Sequence, residues 1–450
     1  MFQTFKNAFK IPDLRNKILF TLFVILLYRI GVAVPVPYIQ TGIENVFGSG
    51  SIFDYLNLLS GGALEQATLF ALGVSPYINA SIIIQLLAIA IPALEKLSKE
   101  GEEGRKKLDS ITRYVTVALA LVTSFGYYML MKNYNAVTNT GAFTAVVIIA
   151  CYCAGAALVM WLAEKIDEKG IGNGISMILF ANIISRLPSM FRTMWNTAYG
   201  WMQKGGLGIL WGVLFILCII AFMIALVGVV VFLTESERKI PVQYAKRVVG
   251  RKMYGGQSSV LPIKLNMTGV MPIIFASSIC SLPATIMMFI KEPTTAGFGK
   301  SVYNFFKNIS DPTSIVYVIV YFILIIAFAY FYIAISFNPV EVANNLKKNG
   351  GFIPGIRPGK PTSDYISKIL SKITLIGAIY LGVIAIFPMI LTMISKSTFQ
   401  GIMFGGSSLL IVVGVALETT REIEAQMTMR HYKDLLDADL VAADDHGVIR

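Results

Sequence analysis

Ten apolar runs dominate the sequence, and each is close to the length that a helix needs to cross a membrane. About 20 residues of α-helix cross a hydrocarbon core roughly 30 Å thick. Helices suit lipid because they satisfy their own backbone hydrogen bonds. The sequence therefore predicts an all-α polytopic membrane protein with ten transmembrane helices. The runs are 18–37, 70–93, 112–131, 142–163, 173–193, 208–233, 265–290, 314–336, 371–394 and 402–420.

Lysine and arginine are unevenly shared between the segments that join these runs. With the N-terminus placed in the cytoplasm, 29 of the 38 basic residues fall in cytoplasmic segments and 8 in external ones. Arg29 lies inside the first run, where its long side chain can reach toward the outer interface. Because positive charge favours the cytoplasmic side, we expect both termini in the cytoplasm.

The apolar runs carry few ionisable groups, which argues against two classes of function. No Asp or Glu lies near the middle of a run, and His431 and His446 both follow the last run. Ion-coupled carriers usually place ionisable groups at the membrane midplane, and intramembrane proteases need a catalytic pair. A solute transporter and a membrane-embedded enzyme therefore stay as the weaker alternatives. We predict no cofactor and no metal site.

Two joining segments are long and rich in turn residues. In residues 234–264, apolar and polar residues alternate around a YGG turn, which predicts a two-stranded hairpin. Pro241 places the first strand at the edge of its sheet. Residues 337–370 predict a short helix ending at Gly350-Gly351, followed by a turn that presents Arg357 between Pro and Gly residues. We expect these two loops to form a docking platform in the cytoplasm.

The second run is preceded by a half-polar segment, LNLLSGGALEQA. It is too polar to cross a bilayer and too apolar for an ordinary loop. Irregular backbone is tolerated at membrane depth where it lines a cavity, which favours a segment folded back into a vestibule. An amphipathic helix on the membrane surface fits the same residues equally well. A separate glycine-rich turn, GIGNGIS, predicts a helix start capped by Asn173.

Several long motifs resemble the SecY/Sec61-alpha family of channel-forming protein translocase subunits. They are RKIPVQYAKR, LPIKLNMTGVMPIIFASS, FNPVEVANNLKKNGGFIPGIRPG, LLSGGALEQATLFALGVSPYINASIIIQLL and GIGNGISMILFA. The resemblance implies two pseudo-symmetric five-helix halves around an hourglass pore, with a re-entrant plug helix. It divides the chain into an N-terminal half, 1–193, a C-terminal half, 194–420, and a cytoplasmic tail, 421–450.

The resemblance also assigns functional residues. It implies a pore ring of aliphatic side chains at Val74, Ile78, Leu179, Ile274 and Ile411. It implies a plug at Asn57, Leu58, Leu59, Ser60, Gly61, Gly62, Ala63, Leu64, Glu65, Gln66 and Ala67. It places a lateral gate at Gln85, Asn266, Ser277 and Ser278. Docking of a motor or ribosome falls to Arg238, Lys239, Arg247, Arg251, Lys252 and Arg357.

The resemblance implies a passive, gated channel and not an enzyme. Unfolded secretory precursors would cross through it, and transmembrane segments would leave sideways into lipid. The implied partners are the small subunits SecE and SecG, the motor ATPase SecA, the ribosome through its rRNA, signal sequences and membrane lipid. The implied location is the bacterial cytoplasmic membrane.

Overall fold

The fold is taken from a computed structural model of the chain. It describes residues 6, 8–39, 60–133, 136–139, 141–203, 207–244, 247–249, 252–254, 258–287, 289, 298–311, 314–395 and 406–445. The chain divides into two compact units. The first unit comprises Met1–Gly48, Phe53–Leu187 and Val415–Arg450, and the second comprises Ser49–Ile52 and Pro188–Gly414.

The first unit is built from helices. They are α1 (Pro12–Val32), α2 (Ser75–Ala90), α3 (Pro92–Lys99), α4 (Glu102–Asn133), α5 (Ala142–Lys169) and α6 (Gly174–Ser185). Helices α2 and α3 meet at an angle of 101°. The bend lies at Ile91, whose backbone is extended (φ −107°, ψ 115°), because a residue that precedes proline is disfavoured in the helical region.

Helix α6 begins at the glycine-rich turn, as the sequence predicts. The side-chain oxygen of Asn173 accepts a hydrogen bond from the Ser176 N–H at 3.1 Å, which confirms the predicted cap. Gly174 lets this helix start pack closely, since a Cβ there would lie 2.0 Å from the Ala163 carbonyl oxygen on α5.

The second unit holds most of the remaining helices. They are α7 (Leu187–Met202), α8 (Leu207–Glu235), α9 (Met271–Met287), α10 (Phe298–Ser310), α11 (Ile315–Ser336), α12 (Pro339–Lys348) and α13 (Lys360–Ser395). The last helix, α14 (Gly406–Asp445), contributes residues to both units. It runs without a break through most of the segment that the sequence assigns to the tail.

The strands of the second unit confirm the predicted hairpin. Strands β1 (Glu237–Tyr244) and β4 (Ser258–Lys264) pair antiparallel, and β5 (Gly351–Phe352) joins the free side of β1 at Gln243 and Tyr244. Strands β2 (Arg247–Val249) and β3 (Lys252–Tyr254) form a second, smaller pair. The predicted edge position of this strand is wrong, because β1 is the middle strand of the order β4-β1-β5. Pro241 itself pairs only with Val260 of β4, since β5 reaches β1 only at Gln243 and Tyr244.

A helix covers most of each of the ten predicted segments. Within the described part of the chain, six helices are long and apolar enough to cross a membrane, and the bent pair α2–α3 would make a seventh. The chain is therefore a multi-pass, mostly helical membrane protein, while the count of ten spans stays a prediction. One predicted boundary is wrong: the seventh segment becomes helical only at Met271, because Gly269 takes a positive φ of 62°.

Candidate functional site

The described part of the predicted plug, residues 60–67, consists of turns instead of the predicted helix. Ala63 N–H donates to the Ser60 carbonyl, and Ala67 N–H donates to the Leu64 carbonyl. Three of its residues have positive φ, a conformation that no right-handed helix contains. They are Gly61 (φ 69°), Gly62 (φ 90°) and Ala67 (φ 49°). Asn57, Leu58 and Leu59 lie outside the described residues.

Half of this segment is buried: Ser60, Ala63, Leu64 and Ala67 are buried, whereas Glu65 is half-buried and Gln66 is exposed. Ser60, Leu64 and Ala67 are each no more than 2% exposed. The Ser60 hydroxyl accepts a hydrogen bond from the Leu64 N–H at 3.1 Å, so its polar group has a partner. Burial of this kind favours the segment folded back into the protein over a helix lying on the membrane surface.

Arg29 of α1 faces the segment and does not simply reach outward from its helix. Its Nη1 lies 3.5 Å from the Asn182 side-chain oxygen, and Asn182 in turn donates to the Tyr28 hydroxyl at 2.9 Å. A Cβ at Gly61 would lie 2.8 Å from that Asn182 oxygen and 3.0 Å from Arg29 Nη1. Gly61 therefore allows the backbone to approach this buried polar group closely.

The five predicted ring residues are all buried, and each lies at or within the first two turns of a helix. Val74 precedes α2, and the others lie inside α2, α6, α9 and α14. Val74, Ile78 and Leu179 belong to the first unit, whereas Ile274 and Ile411 belong to the second. Their assembly into one ring stays a prediction.

Two of the predicted gate residues make hydrogen bonds to residues three or four positions away in their own helices. Gln85 Nε2 donates to the Ser81 hydroxyl at 3.1 Å, one turn earlier in α2. Ser277 donates to the Ile274 carbonyl at 2.8 Å, and Ser278 is buried beside it in α9. Asn266 lies before α9 and not within a membrane helix, since the chain turns at Gly269 before the helix begins.

The two long loops form one body in the second unit. Ile240, Val242 and Ile263 of the hairpin share a buried cluster with Ile353 of the second loop. The same cluster includes side chains of α11 and α13, namely Ile333, Ile366, Leu370 and Ile373. We call the loops and this cluster the platform. The two loops therefore share one buried core, while their projection into the cytoplasm stays a prediction.

Arg357 lies exposed on a turn with a rigid backbone. Gly355 and Gly359 have φ values of 82° and 106°, which only glycine adopts readily. The Thr362 hydroxyl donates to the Arg357 carbonyl at 2.8 Å, and Ile356 packs against the platform cluster. The backbone is therefore held on both sides while the guanidinium points into solvent.

The other predicted docking residues lie on or beside the strands. Arg238 and Lys239 are exposed on β1, and Lys239 Nζ is 3.3 Å from Glu237 Oε1. Arg247 and Lys252 lie on β2 and β3, opposite Tyr254 and Val249. Arg251 lies outside the described residues. Among the described residues there is no group of three His, Cys, Asp or Glu side chains placed to hold a metal ion.

Comparison with known proteins identifies the family. The family model described as SecY matches residues 68–420. This chain belongs to the SecY family. The protein translocase subunit SecY of Streptomyces coelicolor is 44% identical over 454 residues, covering 97% of this chain and 100% of that protein. The SecY subunit of Mycobacterium bovis has the same identity and coverage.

Solved SecY-family structures share the fold. A protein-conducting channel matches with a TM-score of 0.59 and 18% identity, covering 93% of this chain and 96% of that chain. A SecY protein whose plug domain stabilises the closed translocation channel matches with a TM-score of 0.60 and 20% identity, over 93% and 96% of the two chains. Sec61 in the canine ribosome–channel complex matches with a TM-score of 0.55 and 17% identity, again over 93% and 96%.

Some residues that shape these SecY-family sites carry no signal in the sequence. In the sequence, Asn182 is a single polar residue in an apolar run. Its contacts with Tyr28 and Arg29 join residues more than 150 positions apart. Thr362 is closer to a detectable pattern, because a hydroxyl shortly after a Pro-Gly turn often bonds to the turn backbone.

Proposed function

We propose that this chain forms the channel of a bacterial protein translocase, through which unfolded precursors cross the membrane. Apolar segments of a precursor would leave the channel sideways into lipid. The observation that carries the proposal is the 44% identity to translocase subunits over 97% of the chain. The proposed role of the chain is passive conduction, and we propose that it is not an enzyme. The energy for moving the precursor would come from a partner.

The proposed barrier combines the ring and the plug. Val74, Ile78, Leu179, Ile274 and Ile411 are aliphatic, and an apolar constriction excludes ions by dewetting. It also offers no hydrogen-bonding group to a passing polypeptide. The proposed plug, residues 57–67, would cover the ring while the channel is closed, which fits the burial of Ser60, Leu64 and Ala67.

The proposed lateral gate lies along α2 and α9. Hydrogen bonds between polar side chains of membrane helices contribute about 0.6 kcal/mol each on average. Gln85 and Ser277 also have bonds within their own helices, so little is lost when the helices part. An apolar signal sequence could then separate them by binding in between.

The platform is the proposed dock for the driving partner. Arg357, held out on its turn, would engage a motor ATPase of the SecA kind. Arg238, Lys239, Arg247, Arg251 and Lys252 would bind rRNA phosphates, which makes ribosome binding salt-sensitive. The shared fold with Sec61 in a ribosome complex supports this second partner.

Helix α8 has a large exposed apolar surface to which small membrane subunits could bind. Only 17% of the most apolar window of α8 is buried, so this helix presents apolar side chains on nearly every side. Lipid and the small subunits SecE and SecG are the proposed neighbours of such faces. With the platform in the cytoplasm, both termini lie on that side of the cytoplasmic membrane.

Protease protection in reconstituted vesicles tests the proposal. The chain, its small subunits, SecA and ATP are mixed with a signal-bearing precursor, and wild type is compared with Arg357→Glu. We expect protected precursor with wild type and at least tenfold less with Arg357→Glu, because the exposed charge is reversed without touching a buried group.

Lys360→Glu is the matched control, since it reverses an exposed charge three residues away and should keep most of the protection. Equal loss in both variants would assign the effect to general charge and not to Arg357. Absence of protection with intact, correctly oriented wild type would overturn the channel assignment and restore the solute-carrier alternative.

A further inference from the structure

Two buried tyrosines hold the backbone that follows the glycine pair of the proposed plug. Tyr127 of α4 donates its hydroxyl hydrogen bond to the Leu64 carbonyl. Tyr152 of α5 donates to the Ala67 carbonyl at 3.4 Å. Both side chains are fully buried, and their rings meet edge to face with centroids 5.0 Å apart. Two neighbouring helices therefore reach the same short stretch of chain.

The same stretch is fixed by backbone bonds to the chain that follows α1. Val36 N–H donates to the Ala67 carbonyl at 3.2 Å, and Leu69 N–H donates to the Val34 carbonyl at 2.9 Å. Thr68 closes the stretch internally, because its N–H donates to the Ala63 carbonyl at 3.1 Å. Residues 63–69, which we call the plug base, are thus held from α4, α5 and the end of α1.

Ala67 shows that these contacts impose a conformation on the base. Its φ of 49° lies in the left-handed region, where a residue with a Cβ is strained. Such strain persists only where the surroundings over-determine the backbone. Tyr152, Val36 and the turn to Leu64 supply three hydrogen bonds to this one residue.

The residues just before the base are bonded to it, because the Gly62 carbonyl accepts from the Gln66 N–H at 3.3 Å and the Ser60 hydroxyl accepts from the Leu64 N–H at 3.1 Å. Gly62 has a φ of 90°, and a Cβ there would meet no atom within 4 Å. At Gly61 there is no such space, because a Cβ would lie 2.8 Å from the Asn182 side-chain oxygen and 3.0 Å from Arg29 Nη1. Residues 60–62 are therefore continuous with the base through hydrogen bonds, and the positive φ at Gly61 and Gly62 allows that path of the backbone.

We infer that Tyr127 and Tyr152 are positioning residues that hold the plug base, residues 63–69, in place when a precursor engages the channel. The inference rests on the proposed function of residues 57–67 as a plug. It adds that two tyrosine hydroxyls set how firmly residues 63–69 are held in the closed state.

Hydrogen exchange on the full chain in lipid nanodiscs tests whether the plug base stays in place. In wild type, amides of residues 63–69 should keep their protection when a signal-bearing precursor engages the channel. Loss of that protection on engagement would mean that the base moves with the plug, and would overturn the inference.

Tyr127→Phe and Tyr152→Phe test the two hydroxyls, because each variant keeps its ring and loses only the hydroxyl. Removing one hydrogen bond of ordinary net strength should speed exchange of residues 63–69 about fivefold and raise the ion conductance of the resting channel. Tyr330→Phe is the matched control, since it removes a tyrosine bond to the Ser371 carbonyl in the second unit. It should change neither reading.

The exchange rate of residues 63–69 and the resting ion conductance together distinguish failure of the inference from failure of the proposed function. Unchanged exchange in both tyrosine variants overturns the positioning role. Faster exchange with unchanged conductance overturns the claim that this hold on residues 63–69 stabilises the closed state. If the wild-type chain conducts no precursor, the proposed function fails by itself, and the exchange reading still decides whether the tyrosines fix the base.

Discussion

The plug base and the Arg357 turn both depend on glycine geometry, but they use it in opposite ways. At the base, hydroxyls from two other helices hold the backbone at Leu64 and Ala67, which are both buried. At the turn, Gly355 and Gly359 shape a backbone that holds one side chain out into solvent. These arrangements fit the two proposed roles, a plug that keeps the channel closed and a turn that a partner binds.

This difference teaches where each region is vulnerable. The base packs closely against Gly155 at the Leu69 carbonyl, so added volume there should damage it more than a lost charge. The turn has ample space around its glycines, so only backbone strain or a lost charge should matter there. The following predictions test that contrast.

Gly155→Ala should have the largest effect. A Cβ at Gly155 would lie 2.0 Å from the Leu69 carbonyl oxygen, and backbone cannot move aside as a flexible side chain does. Overpacking costs about 1–3 kcal/mol or more, so the base should shift and resting conductance should rise several-fold. Planar-bilayer recording measures it, with Gly200→Ala, which meets no atom within 4 Å, as control. Wild-type conductance in Gly155→Ala would show that the base is not close-packed.

The double variant Gly355→Ala, Gly359→Ala should have an intermediate effect. Neither Cβ meets an atom within 4 Å, so the cost is backbone strain alone, about 1 kcal/mol at each position. Motor-driven export should fall several-fold although Arg357 is retained. Gly228→Ala, also in open space but within a helix, should export normally. Normal export by the double variant would mean that the arginine needs no fixed turn.

Thr362→Val should have the smallest effect. It removes the hydrogen bond to the Arg357 carbonyl while keeping nearly the same shape, at a cost of about 1 kcal/mol. Export should fall about two- to threefold in the protease-protection assay. Thr374→Val is a fair comparison, because its buried hydroxyl bonds only within α13. A greater loss from Thr374→Val than from Thr362→Val would contradict the turn argument.

The sequence predicts the regular parts of the molecule well. Apolar length and lipid chemistry leave helices as the answer for the ten segments, and Pro and Gly spacing is enough for the hairpin and the Arg357 turn. Local chemistry also identifies the cap at Asn173, since the residue and its partner are three positions apart.

The parts that depend on distant partners could not be predicted in the same way. The turns at 60–67 replace a predicted helix because Tyr127 and Tyr152, 63 and 85 positions away, satisfy the backbone there. Asn266 was predicted within a span because its neighbours are apolar, yet the positive φ of Gly269 delays the helix. The continuation of α14 past residue 420 is likewise tertiary, since Ile423 packs against Leu14 and Ile18.

The pairing of β5 with β1 has a mechanical consequence. Tyr244 and Gly351 join the two loops edge to edge, and the cluster beneath them includes Ile333 of α11 and Ile366 of α13. A force applied to either loop is therefore carried by one elastic body into the same two helices. The motor and the ribosome that we propose as partners would therefore both act on the same two helices, α11 and α13.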